Sequence, residues 1–379
     1  MNWFGNAKSW PLVPLKDIST LKRGYDLPVS QRNSGNVPIY AANGKNGSHD
    51  DVKIKAPGVI TGRSGTIGKV HYTEEDYWPL NTALYVTNFH GNNPRWVYYM
   101  LQSFKLDRFV EGAGVPTLNR NLVHGELVPL PPLPEQKRIA AILDAADALR
   151  TQRRQSIAEL DLLLQSTFLE MFGDPVENPK GWEVKKLTET AQVKGGFAFK
   201  SDDYLPEKNG VPLIRIGEVN RQDFDGDKIM HLPIEFIEKY DRFIIKDGAL
   251  LMSLTGTIGK NDYGNVTLLK GRSEKYFLNQ RVAEIKPNKS IDKNFLFHYL
   301  RNKDVKNMLV KNDRGVRQAN ISNKDIQELS LIVPPQYLQN QYAMISKSIE
   351  LQKLRLNKHL LELDTLFASL QQRAFNGEL

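Results

Sequence analysis

The sequence has no cysteine in 379 residues. That excludes disulfides, thiolate metal ligands and a cysteine nucleophile. It has no apolar run of 18 residues, so neither a membrane-spanning helix nor a membrane partner is expected. Its first ten residues, MNWFGNAKSW, contain no apolar signal core, and a cytoplasmic location is expected. Low-complexity tracts are missing, and the seven histidines are scattered without metal-ligand spacing.

Catalytic motifs are missing too. Gly62 to Lys69, GRSGTIGK, invites a phosphate-loop reading. That loop needs glycine five positions before its Gly-Lys pair and serine or threonine after it. Those positions hold Arg63 and Val70, and in a second occurrence Leu254 and Asn261. No Gly-x-Gly-x-x-Gly follows a strand. Val333-Pro-Pro-Gln lacks both ends of the Asn/Asp-Pro-Pro-aromatic tetrapeptide of an amino-methyltransferase. Two carboxylates and a lysine can hold Mg²⁺ and polarise a phosphate. Asp262 with Glu284 and Lys286, or Asp174 with Glu183 and Lys185, offer such a set. A magnesium-dependent nuclease or modification enzyme therefore stays open as the alternative, with Asp262, Glu284 and Lys286 in the second domain.

Two stretches organise the rest. Residues 135–172 contain neither glycine nor proline, and strong helix formers fill them. Pro134 suits the first turn of a helix, and Gly173 stops it. Ile139, Ile142, Ala146 and Leu149 form an apolar seam, resumed by Leu160, Leu164, Phe168 and Met171. Such a rod is roughly 55–60 Å long at about 1.5 Å per residue. The second stretch, Gln336 to Asn376, carries a ladder at Leu338, Tyr342, Ile345, Ile349, Gln352, Leu356, His359, Leu363, Leu366, Leu370 and Arg373. Its 4-3-4-3 spacing favours a coiled-coil seam. The two rods are expected to pack on each other.

The remainder is a tandem repeat. Trp10-x4-Leu15 recurs as Trp182-x4-Leu187, and Lys22-Arg-Gly-Tyr25 as Lys194-Gly-Gly-Phe197, both 172 residues on. Gly65-Thr-Ile-Gly-Lys69 recurs as Gly256-Thr-Ile-Gly-Lys260, and Gly114-Val115-x3-Asn119 as Gly315-Val316-x3-Asn320. Leu130-Pro-Pro precedes one rod and Val333-Pro-Pro the other. The offset only grows, so the order of elements is kept and the second copy has insertions. Short alternating strands such as Ala83-Leu-Tyr-Val and Arg281-Val-Ala-Glu-Ile make each globular part mixed and strand-rich. The expected class is α+β: two strand-rich mixed domains, 1–133 and 174–334, with two long antiparallel helices, 134–173 and 335–379, and pseudo-two-fold symmetry.

Charge adds a direction. The chain is +8 overall, and residues 1–134 and 173–334 each carry +4. Two equally basic domains suit one polyanion. Polar and basic side chains on expected loops are the candidate DNA contacts. The first domain offers Lys22, Arg23, Tyr25, Asn43, Lys45, Arg63, Ser64, Lys69, Arg108, Asn119 and Arg120. The second offers Lys194, Phe197, Arg215, Thr255, Lys260, Gln280, Arg281, Lys311, Arg314, Arg317 and Gln318. Arginine, asparagine and glutamine can read base edges, while lysine, serine and threonine hold phosphates. Lys22, Tyr25, Lys194 and Phe197 fit turn and core roles equally.

The repeat, the Pro-Pro junctions and the helices together resemble a known family. Thr117-Leu-Asn-Arg, then Val128-Pro-Leu-Pro-Pro-Leu-Pro-Glu-Gln-Lys-Arg-Ile-Ala-Ala-Ile-Leu-Asp, is similar to the specificity subunit of type I restriction–modification systems. The second junction, Val333-Pro-Pro-Gln-Tyr-Leu-Gln-Asn-Gln, departs by lacking the Pro-Glu pair. The resemblance implies two target recognition domains, each reading half of a split site in double-stranded DNA. It implies that the helices act as a ruler and dock two modification subunits, with restriction subunits added. S-adenosylmethionine, ATP and Mg²⁺ would then sit on those partners, with no cofactor and no catalytic residue in this chain.

Overall fold

A computed structural model describes residues 4–5, 7–111, 114–205, 209–224, 228–257, 260, 262–310 and 318–379, with backbone alone at Gln318. The chain packs into two compact units, residues 1–156 with 356–379, and residues 157–355.

In the first unit, buried apolar strands build an antiparallel sheet. Its order is Thr20–Arg23, Ala83–Asn88, Gly58–Gly62, Val70–Thr73. Every residue of Gly58–Gly62 is buried, as an inner strand covered on both faces requires. A smaller sheet joins Gly44–His49, Val37–Ala41 and Trp78–Pro79. Helix Pro94–Ser103 covers the main sheet, capped by Asn93, whose side chain accepts from the Trp96 N–H at 2.9 Å.

The second unit repeats the plan. Its main sheet runs Ala191–Gly195, Val282–Pro287, Leu250–Ser253, Val266–Leu268. The covering helix, Lys293–Arg301, is capped by Asp292. The longer stretch between Phe197 and Leu250 carries Val211–Ile214 and His231–Leu232, which repeat the first unit's smaller sheet, and adds the helices Ile216–Arg221 and Phe236–Lys239.

The long helices are continuous, Leu133–Phe172 and Gln336–Asn376. They pair antiparallel within each unit. In the first, Arg150 Nε meets Asp364 at 2.6 Å and Arg138 reaches the Leu379 carbonyl at 3.0 Å. In the second, Lys353 meets Asp161 at 2.6 Å, and the Phe168 and Phe172 rings lie 5.5 and 5.4 Å from Tyr342.

The seams differ in detail from the spacing expected. Leu149 is 52% exposed and Leu366 49% exposed, and Leu143 and Phe367 are buried in their place. On the second helix Tyr342, Ile349, Leu356 and Leu363 keep their inward positions. The other row moves one residue on, to Ser346, Lys353, Leu360 and Phe367. That shift explains Gln352, His359 and Arg373, polar breaks in the expected ladder that are all exposed. Lys353 tolerates the seam because its stem is apolar and its ammonium pairs with Asp161 and Glu350.

Both Pro-Pro junctions are locked by one buried glutamine each. Gln136 accepts from the Asn93 N–H at 2.9 Å and donates to the Pro131 carbonyl at 2.9 Å. Gln339 accepts from the Asp292 N–H at 2.7 Å and donates to the Pro334 carbonyl at 2.7 Å. The second junction lacks the Pro-Glu pair yet keeps the residue that makes the lock.

Candidate nucleic-acid interface

Each main sheet ends in a platform of loops, wired the same way in both units. In the first, Gly24 N–H donates to the Ala83 carbonyl, and Tyr25 N–H to the Pro79 carbonyl. Arg63 N–H donates to Thr82, Leu80 N–H to Tyr40, and Leu118 N–H to Arg63. In the second, Gly196 donates to Val282, Phe197 to Leu278, Leu254 to Arg281, Asn279 to Ile214, and Ile321 to Leu254. The same five bonds thus recur. Pairing of Ser64 with Thr117 likewise matches Thr255 with Asn320.

This wiring corrects the match of Asn119 with Asn320 expected from spacing and fixes a second match, that of Glu284. Thr117 aligns with Asn320, so Asn119 answers to Ser322; both are helix caps, of Arg120–His124 and Asn323–Gln327. Glu284 answers to Tyr85, since Lys22 pairs with Tyr85 and Lys194 with Glu284. A changing offset hid both.

Close backbone approach fixes the platform. A Cβ on Gly24 would lie 2.3 Å from the Leu80 carbonyl oxygen, and one on Gly196 2.3 Å from that of Asn279. Gly24→Ala is expected to destabilise the first unit by about 1–3 kcal/mol. Gly65→Ala, with open space around its Cβ but a positive φ of 86°, should cost less, about 1 kcal/mol. Thermal unfolding of both variants checks this.

The structure brings several expected residues onto these platforms. Arg23 meets Asp26 at 3.4 Å, and Arg63 donates to the Asn81 carbonyl at 3.2 Å. The Tyr25 hydroxyl lies 3.0 Å from that of Tyr85, and Ser64 sits on the same rim. Asn43 and Lys45 are exposed at the neighbouring hairpin, Lys22 on the edge strand of the main sheet, and Lys69 just past the turn. Arg120 reaches the Leu21 carbonyl at 3.4 Å, beside its cap Asn119. Arg108 stands apart: its guanidinium lies 4.6 Å from the Phe104 and Phe109 rings, and burial lowers its pKa.

In the second unit Thr255 and Arg281 line a cavity of about 390 Å³ with Ile216, Asn220 and Asp262. Gln280 and Lys260 are exposed nearby in sequence. Lys194 is committed inward, donating to the Ile244 carbonyl at 2.8 Å and meeting Glu284 at 3.3 Å. Phe197 packs 5.1 Å from Phe199 and 4.8 Å from Tyr240. Arg215 precedes a helix and holds buried Glu218 at 3.2 Å. Lys311, Arg314 and Arg317 lie outside the described residues, as does the Gln318 side chain.

The magnesium-nuclease alternative is not assembled. Glu284 pairs with Lys194, and Lys286 is exposed. Asp262 accepts from the Thr257 N–H at 2.8 Å, a bond that holds its carboxyl below the usual range. Glu183 pairs with Lys185 at 3.1 Å. Among the described residues no three histidine, aspartate or glutamate side chains cluster as metal ligands, and no helix is long and apolar enough to cross a membrane.

Spacing missed Asp26, Asn81, Thr82 and Asn279, which line the platforms. Asn81-Thr82 answers to Gln280-Arg281, a match hidden because the repeat offset changes between the turn and this strand.

A family model, the type I restriction modification DNA specificity domain, matches residues 7–160 and 179–363. The chain is similar to the type I restriction enzyme MjaVIII specificity subunit of Methanocaldococcus jannaschii, with 30% identity over 269 residues, 66% of this chain and 62% of that one. It is similar to the EcoBI specificity subunit of Escherichia coli, with 22% identity over 330 residues, 76% of this chain and 66% of that one. The chain therefore spans slightly less than two thirds of either relative's own length. Its fold resembles the crystal structure of a type I restriction–modification S subunit from M. genitalium, with a TM-score of 0.59, 16% identity and coverage of 97% and 96%. It also resembles a chain from a structure on complex assembly and conformational transition of the type I R-M system, with a TM-score of 0.55, 17% identity and coverage of 99% and 100%. With the family model matched twice, once over each half of a duplicated chain, the chain belongs to the type I restriction–modification DNA specificity family.

Proposed function

We propose that this chain is the sequence-specific DNA-binding subunit of a type I restriction–modification complex. One observation carries the reading: the two platforms share their backbone wiring and differ in their side chains. Arg63, Asn81 and Thr82 stand where the second unit has Leu254, Gln280 and Arg281. A common scaffold with changed side chains is what reading two different half-sites requires.

Residues 1–133 and 174–334 then act as target recognition domains, with helices 134–173 and 335–379 as spacer. The chain docks two modification subunits and restriction subunits, and has no catalytic residue of its own. S-adenosylmethionine, ATP and Mg²⁺ belong to those partners. The candidate base and phosphate contacts are the exposed platform residues, foremost Arg23, Asn43, Lys45, Lys69, Gln280 and Arg281, together with half-buried Arg63.

Footprinting of the chain with its modification subunits tests this. Two protected segments with an unprotected spacer are expected. Lengthening both helices by four residues adds about 6 Å, near two base pairs. The spacer should grow by one or two base pairs and the half-sites stay unchanged. A single continuous footprint, or altered half-sites, would overturn the reading.

A further inference from the structure

The second unit holds a cavity of about 300 Å³ away from the loop platform. It lies where the first long helix, the covering helix and the second long helix meet. Leu164 and Phe168 form an apolar wall, and Arg301 and Lys303 bring two cations. No carboxylate pairs with Arg301 or Lys303 among the described residues. The one acid in the lining, Asp161, is engaged by Lys353 at 2.6 Å.

Tyr342 forms the inner wall. It is fully buried, and its hydroxyl has no hydrogen-bond partner. An unmet buried hydroxyl is costly, and a guest acceptor would satisfy it. The field is positive here as well. His298, in the lining, has its pKa pushed down to about 3, by burial first and then by Arg301, Lys353 and Lys270.

The duplicated first unit supplies an internal comparison. There Phe367 stands in place of Leu164, and Gln102 in place of Arg301. Gln371, in place of Phe168, reaches the Tyr99 carbonyl at 3.4 Å and Gln102 Oε1 at 3.5 Å. The cationic pair and the smaller wall residue are thus particular to the second copy.

We propose that this cavity binds a small organic anion, its carboxylate or phosphate held by Arg301 and Lys303 beside the Tyr342 hydroxyl, its apolar body on Leu164 and Phe168. The volume fits the lower end of ligand pockets. No loop platform residue takes part, so the site is independent of DNA reading.

Calorimetry on the full chain, with phenyl phosphate, benzoate, inorganic phosphate and benzylamine as probes, tests this. Phenyl phosphate and benzoate are expected to bind, inorganic phosphate more weakly, and benzylamine not at all. Arg301→Gln or Lys303→Gln should each weaken phenyl phosphate about tenfold, the loss of one charge-assisted bond. Tyr342→Phe should weaken it several-fold without lowering the unfolding temperature, since it breaks no bond in the free protein. Arg355→Gln, an exposed cation outside the lining, should leave binding intact. Absence of binding by every anion, benzylamine binding as well as benzoate, or affinity unchanged in both Arg301→Gln and Lys303→Gln would overturn the proposal. Tighter binding of inorganic phosphate than of phenyl phosphate would overturn the apolar subsite.

Discussion

Phe172→Ala is expected to destabilise the second unit by about 3–5 kcal/mol, the range for emptying a buried aromatic site. Phe172 is fully buried at the end of its helix. Its ring centroid lies 4.8 Å from Phe295, 5.0 Å from Phe168 and 5.4 Å from Tyr342. Its carbonyl accepts from the Trp182 indole N–H at 2.8 Å, so the helix end is pinned to the domain that follows. Its counterpart Phe375 packs 5.6 Å from Phe4 and 6.1 Å from Trp96. Phe375→Ala should therefore weaken the first unit by a similar amount. Leu162→Ala removes a side chain that is 65% exposed and should change stability by less than about 0.5 kcal/mol. Denaturant unfolding of the three variants separates these outcomes. Equal effects at Phe172 and Leu162 would show that the helix does not dock as described.

The second large effect concerns the junction glutamines. Gln136→Leu would strip partners from the Asn93 N–H, the Pro131 carbonyl and the Asn92 side chain. Gln339→Leu would do the same to the Asp292 N–H and the Pro334 and Ser290 carbonyls. Leaving buried donors and acceptors unmet costs about 1–3 kcal/mol per group. Each substitution is expected to lower stability by about 2–4 kcal/mol despite adding apolar bulk. If Gln136→Leu proved neutral or stabilising in urea unfolding, the lock would be a packing detail only.

The long helices were legible in sequence because uninterrupted helix formers and glycine stops act locally. The second helix runs over the very residues expected, Gln336–Asn376. Their exact inward rows were not, because the choice of Leu143 over Leu149 and of Phe367 over Leu366 is made by packing that spacing does not encode. Leu149 is as apolar as Leu143 and still faces out. The duplication was legible from glycine-bearing turns, whose backbone needs restrict the residues allowed. It blurred at Tyr85 and Glu284, since a strand pair constrains hydrogen bonds and burial, not side-chain identity. Gln339 was missed for a related reason. A glutamine after Pro-Pro looks like a solvated helix start until its amide is seen facing two carbonyls and an N–H. The candidate site was legible in part. The Arg63 turn and Arg281 were found from polar residues at strand ends, whereas Asn81 and Thr82 needed the sheet register.

On the proposed reading, each unit's platform specifies one half of a split DNA site. Exchange of residues 1–131 for the equivalent domain of another family member, followed by mapping of methylated bases with the modification subunits present, tests it most directly. The prediction is that one half-site changes while the other half and the spacer are kept. A change in both halves, or in neither, would contradict it.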